Sequence, residues 1–71
     1  MIELMVRAEG GTVKLVDGRM RASAALSRRG EVQCTGIGLG LFTLVRNEDG
    51  SVDARFSDGT VQRVSNLRVD H

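Results

Sequence analysis

The chain lacks proline, tryptophan and tyrosine, and it holds one cysteine, one histidine and two phenylalanines in 71 residues. Each scarcity excludes a class of chemistry. Cys34 alone forms no intrachain disulfide, so the fold rests on packing and hydrogen bonds rather than on the staples of small secreted domains. Cys34 and His71 together fall short of the three or four ligands of a zinc site. As a nucleophile Cys34 would need a base within hydrogen-bond reach, and the single imidazole sits at the chain end. We therefore expect no enzyme, no cofactor and no metal. Stacking on single-stranded bases needs exposed aromatic rings, and Phe42 and Phe56 occupy strand positions that point to a core.

Long apolar runs are missing too. The longest, Thr35 to Val45, is interrupted by Gly36, Gly38 and Gly40 and falls far short of the roughly 20 residues that span a bilayer. No basic, apolar leader opens the sequence, so a cytoplasmic protein without a membrane is the expectation. Lys and Arg number ten against nine Asp and Glu, a formal charge of +1. The molecule is neither a polycation nor an acidic mimic of nucleic acid, and any electrostatic partner must be met by a local patch.

What is present is alternation. Apolar residues recur with period two, the signature of half-buried strands. Ile2, Leu4 and Val6 alternate with Glu3, Met5 and Arg7, and Gly10-Gly11 turns the chain into a second strand over Thr12 to Val16. Asp17-Gly18 reads as a hairpin turn. After it, Met20, Ala22, Ala24 and Leu26 alternate with Arg19, Arg21, Ser23 and Ala25, so Arg19 to Arg29 is read as a third strand. Strict alternation, the preceding Asp-Gly turn and the want of an N-terminal capping box favour the strand, and a helix of about two and a half turns stays open as the alternative. Glu31 to Thr35 is a short strand, Gly36 to Gly40 a glycine-bent strand segment, and Leu41 to Arg46, apolar on both faces, a central strand. Val52, Ala54 and Phe56 form the inner face of the next strand. Asp58-Gly59 turns the chain into Thr60 to Val64, Ser65-Asn66 makes a tight connection, and Leu67 to Val69 closes it. Together these predict one all-β domain, a small closed or partly open antiparallel barrel of about five to seven short strands. The echo between Gly11-Thr12-Val13 and Gly59-Thr60-Val61 is explained by hairpin chemistry.

From Gly30 to Val69 the order of residues resembles a Tudor-type small barrel of the Src-homology-three-like superfold. Gly30-Glu31-Val32-Gln33-Cys34 is similar to the opening strand, Gly40-Leu41-Phe42 to the Gly-x-aromatic entry of the second, and Asp49-Gly50-Ser51-Val52 through Phe56, Asp58 and Gly59 to the following hairpin, strand and turn. Val64 with Leu67-Arg68 matches the closing positions. The resemblance implies a binding module. It does not extend to methyl-lysine or methyl-arginine recognition, which needs an aromatic cage where this chain has Phe42 and Phe56 alone. Residues 1–29, an N-terminal hairpin region, lie outside it.

The candidate binding residues are Arg19, Arg21, Arg28 and Arg29, four positive charges without an acid between Gly18 and Gly30. Guanidinium groups suit bidentate contacts with oxyanions, so the expected partner is nucleic acid or an acidic protein surface. The alternative is a protein-interaction adaptor, inhibitor or homo-oligomeric subunit working through apolar strand surfaces; Met5, opposite Ile2, Leu4 and Val6, makes the first strand apolar on both faces. Gly36-x-Gly-x-Gly40 is not a phosphate loop, since no helix starts at Leu41. Asp49, Asp53 and Asp58 are near in sequence, but Asp-Gly turns already account for two of them.

Overall fold

In the computed structural model, which describes residues 1–70, the alternating segments form six strands: β1 (Ile2–Glu9), β2 (Thr12–Asp17), β3 (Glu31–Gly36), β4 (Gly40–Arg46), β5 (Ser51–Phe56) and β6 (Val61–Arg68). One helix, α1 (Arg19–Arg29), separates β2 from β3. The strands close into a barrel in the order β1-β2-β6-β5-β4-β3. Neighbours are antiparallel except at two seams, β1 with β3 and β2 with β6, which run parallel. A hairpin cannot join parallel strands; β2 and α1 carry the chain across between β1 and β3.

The alternation predicts the core correctly. Leu4, Val13, Leu15, Cys34, Phe42, Leu44, Val52, Ala54 and Val64 point inward and are buried. The rings of Phe42 and Phe56, paired across β4 and β5, lie 5.6 Å apart at a tilt of 34°, a separation at which aromatic pairs attract beyond simple burial. β4 lies between β3 and β5, but every strand of a closed barrel has two neighbours, and its second apolar face is not buried as a central strand's would be: Leu41 is 55% exposed.

Residues Arg19 to Arg29 are helical, not a strand. The apolar positions that matter are Ala22, Ala25 and Leu26, spaced i, i+3, i+4 on one face and all buried. Met20 and Ala24, which alternation puts on the same side as Ala22 and Leu26, face solvent, Met20 at 85% exposure. Alanine and arginine are strong helix formers, and the buried face replaces the missing side-chain cap. Asp17-Gly18 consequently starts a helix rather than a hairpin. Gly18 is the N-cap with φ 85°, and Gly30 ends α1 at φ 80°, its N–H donating to the Leu26 carbonyl at 2.9 Å, a left-handed C-terminal stop. Leu26 and Ala22 enter the core cluster beside Leu4 and Leu15, so α1 plugs the end of the barrel where β2 stops and β3 begins.

Two further segments depart from expectation. Gly36 to Gly40 is not a bend within a strand but a full reversal: Gly36 pairs with Gly40, and Leu39 N–H donates to Gly36 O at 3.0 Å. Ser65-Asn66 does not break the chain, because β6 runs on to Arg68. It bulges instead. Asp53 faces Arg63 and Ser51 faces Arg68, which leaves Val64 to Leu67 opposite Val52 alone and swings β6 away from β5 toward β2. The β2–β6 seam that results has one backbone bridge, Val13 with Val64. The Asn66 side chain completes it, accepting from Leu15 N–H at 2.9 Å and donating to Leu15 O at 2.8 Å, while Ser65 Oγ donates to Val13 O at 3.3 Å.

Candidate functional site

The helix divides the four predicted arginines into two pairs. Arg19 and Arg21 sit in its first turn and Arg28 and Arg29 in its last, about 10 Å or more apart at 1.5 Å per residue. Arg19 Nη1 donates to Asn66 O at 3.4 Å and Arg21 Nη2 to Glu3 O at 3.3 Å, so both lie over the barrel wall. Arg28 and Arg29 are exposed at the C-terminal end, where cations complement the negative pole of the helix dipole. The four do not form one patch.

Arg28 and Arg29 instead meet a residue from elsewhere. A groove of about 750 Å³ runs between the C-terminal end of α1 and the outer face of β3, β4 and β5; its polar wall is Arg28, Arg29, Glu31, Gln33, Thr43 and Arg55, and its apolar wall Met1, Ile2, Ala25, Val32 and Val45. Register explains the gathering. Gln33 pairs with Thr43, Thr43 with Arg55, and Glu31 with Val45, so these side chains share one outward-facing surface on adjacent strands. Three guanidinium groups thus converge with one carboxylate, and among the described residues none of the three is in an ion pair; those present are Arg7 with Glu9, Arg63 with Asp53 and Arg68 with Asp70. Arg55 is legible in the sequence as an outward residue of β5, but its place beside Arg28 follows only once Arg19 to Arg29 is a helix. Arg46, also between helix and sheet, is spent on structure: its Nη1 donates to Leu26 O at 3.0 Å and Ser27 O at 3.4 Å, satisfying carbonyls at the helix end.

The other candidate groups are occupied or enclosed. Cys34 is fully buried; burial pushes its thiol up to about 11, against smaller lowering effects of the amino terminus and a hydrogen bond with the Leu44 backbone. A thiol so raised carries little thiolate near neutrality. His71 lies outside the described residues. Asp49 and Asp58 belong to separate hairpin turns at opposite ends of β5, each accepting from the side chain and backbone N–H two residues on, Ser51 and Thr60 respectively. Those bonds hold both carboxyls below their ordinary value. Burial works against ionisation of Asp53, but hydrogen bonds from Arg63 at 2.7 Å and Asn47 at 3.0 Å outweigh it and keep its carboxyl low as well. Among the described residues, no group of three Asp, Glu, His or Cys side chains is placed to hold a metal ion. No helix is long and apolar enough to cross a membrane.

No protein-family model, no curated protein and no solved structure matches this chain.

Proposed function

We propose that the protein is a noncatalytic module that binds nucleic acid through its phosphate backbone, with Arg28, Arg29 and Arg55 as the principal contacts and Arg19 and Arg21 as outlying ones. The observation that carries this reading is the groove itself, where three guanidinium groups without carboxylate partners line one open channel. A guanidinium fork matches a phosphate oxyanion bidentately. Phe42 is buried and Phe56 half-buried against it, so backbone charge rather than base stacking supplies the affinity. Kinship with Tudor-type barrels is part of the same proposal, supported by β3 to β6 as four consecutive antiparallel neighbours over Gly30 to Val69; methylated ligands are not part of it. A cytoplasmic setting belongs to the proposal too, since a lone buried thiol suits a reducing compartment.

The test is binding to random-sequence duplex DNA and single-stranded RNA as salt is varied. Three phosphate contacts on a duplex predict a slope near −2.7 in log K against log salt, about a 40-fold loss between 50 and 200 mM. Arg28→Ala and Arg55→Ala should each reduce that slope by about 0.9, whereas Arg68→Ala, whose guanidinium is engaged with Asp70, should leave it unchanged. Absence of binding at the low-salt end would overturn the proposal and favour an acidic protein surface as the partner of the same groove.

A further inference from the structure

The barrel is closed around its waist but not along the whole of β1. β1 pairs with β3 only through Ile2, Glu3 and Leu4, because β3 ends at Gly36 and turns away. Beyond that point, Met5 to Glu9 pair with β2 on one side and, among the described residues, with no strand on the other. A free strand edge offers unpaired N–H and C=O groups to another chain. Beside this edge the barrel end opposite α1 is open: Val6, Ala8, Val13, Ile37, Leu39 and Phe56 line a groove of about 420 Å³ there, with Ile37 exposed to 75% and Leu39 to 44%.

We infer that this edge and the apolar mouth beside it form the dimer interface of the protein, with β1 of a second copy as the occupant. The sequence of the edge selects that occupant. Two copies of one strand laid side by side about a two-fold axis are antiparallel, and with Ala8 on the axis Arg7 of each copy stands opposite Glu9 of the other. Both charge pairs are then complementary, and the residue on the axis is small enough for close approach. Arg7 and Glu9 already face the same way, bridged at 3.0 Å within one chain and exposed at 60% and 44%, so the exchange to a pairing between chains needs no change of face. Cross-strand pairs of opposite charge stabilise such ladders, and like charges in the same positions oppose them. The edge is short, so the apolar mouth, brought to the interface by Val6 and Ala8 on the inner side of β1, supplies the area that the strand contact lacks.

Sedimentation of the full chain from about 10 µM to about 500 µM tests this, a range suited to a small interface. The wild-type protein should reach the mass of two chains. Arg7→Glu and Glu9→Arg each place like charges opposite one another and should each raise the dissociation constant at least tenfold. Mixing these two variants should restore association, as a heterodimer in which both pairs are again complementary, and the double variant R7E/E9R should dimerise alone. Both positions are exposed, and circular dichroism of each variant should match the wild type. A monomer across the whole range would overturn the inference. So would a dimer indifferent to both charge reversals, or two variants that stay monomeric when mixed.

Discussion

Replacing Asn66 with alanine should open the weakest seam of the barrel. The β2–β6 seam rests on one backbone bridge and on the Asn66 amide, which satisfies both the N–H and the C=O of Leu15. Leu15 is 3% exposed, so water reaches those groups poorly once the amide is gone. Leaving a buried donor or acceptor without a partner costs about 1 to 3 kcal/mol. Two such groups, with partial rehydration, give a loss of about 2 to 4 kcal/mol. A chain of this length has a total stability of about 4 to 11 kcal/mol at roughly 0.05 to 0.15 kcal/mol per residue, so the loss is a large share of the whole. Urea unfolding followed by circular dichroism reads it directly: with an m-value near 1 kcal/mol per molar, the midpoint should fall by about 2 M or more. Asn66→Asp refines the test. The introduced carboxylate can accept from Leu15 N–H but cannot donate to Leu15 O, so at neutral pH this variant should also be weak. Protonation restores a donor, which raises the folded-state pKa of the introduced group above its unfolded value near 3.9. The recovered stability is therefore complete below that unfolded value and is lost as pH rises through the folded one. Ser65→Ala, which removes only a 3.3 Å bond from an exposed hydroxyl, is the control and should cost less than about 0.5 kcal/mol. An Asn66→Ala protein within about 0.5 kcal/mol of wild type would mean that the amide does not hold this seam.

Leu26 is fully buried where α1 plugs the barrel, and Leu26→Ala should cost about 3 to 5 kcal/mol by the same unfolding assay. Gly18 and Gly59 both have positive φ, but a Cβ on Gly18 would collide with the Leu4 side chain in the core, whereas one on Gly59 meets nothing within 4 Å. Gly59→Ala should thus cost about 1 to 2 kcal/mol, the backbone penalty alone, and thermal melting should show Gly18→Ala losing clearly more. Asp49 and Asp58 are held below their ordinary pKa by hydrogen bonds from Ser51 and Thr60. Depressed carboxyls contribute stability above their unfolded pKa near 4 and lose it as pH falls through the folded value. The melting temperature of Asp49→Ala and Asp58→Ala proteins should accordingly fall less steeply than that of wild type below about pH 4.

Where structure follows from local pattern, it was readable in the sequence. β5 is the clearest case: Val52, Ala54 and Phe56 alternate with polar residues between two Asp-Gly turns, and both turns and the face assignment are as the alternation implies. α1 shows where pattern alone is ambiguous. Ala22 and Leu26 are four apart, a spacing that fits both an alternating strand and a helix face, and Ala25 decides between them only through burial against strands distant in sequence. That ambiguity propagated to the site. Read as a strand, Arg19 to Arg29 offers four neighbouring arginines; as a helix it parts them and delivers one pair to Arg55 on β5. Turns favour asparagine, so Asn66 beside Ser65 reads as a turn residue, while its use as a surrogate strand partner depends on Leu15, 51 residues earlier. No local signal marks such a contact.

Phosphate binding by the groove is read most directly by an amide chemical-shift titration of the labelled protein with a short single-stranded RNA and a short DNA duplex at about 50 mM salt, where phosphate contacts are strong. If the groove binds phosphate, the largest shifts fall on Arg28, Arg29, Glu31, Gln33, Thr43 and Arg55, around the channel between α1 and the outer face of β3 to β5, and they vanish as salt is raised. Shifts confined to the opposite mouth at Ile37 and Leu39, or no shifts at low salt, would contradict it.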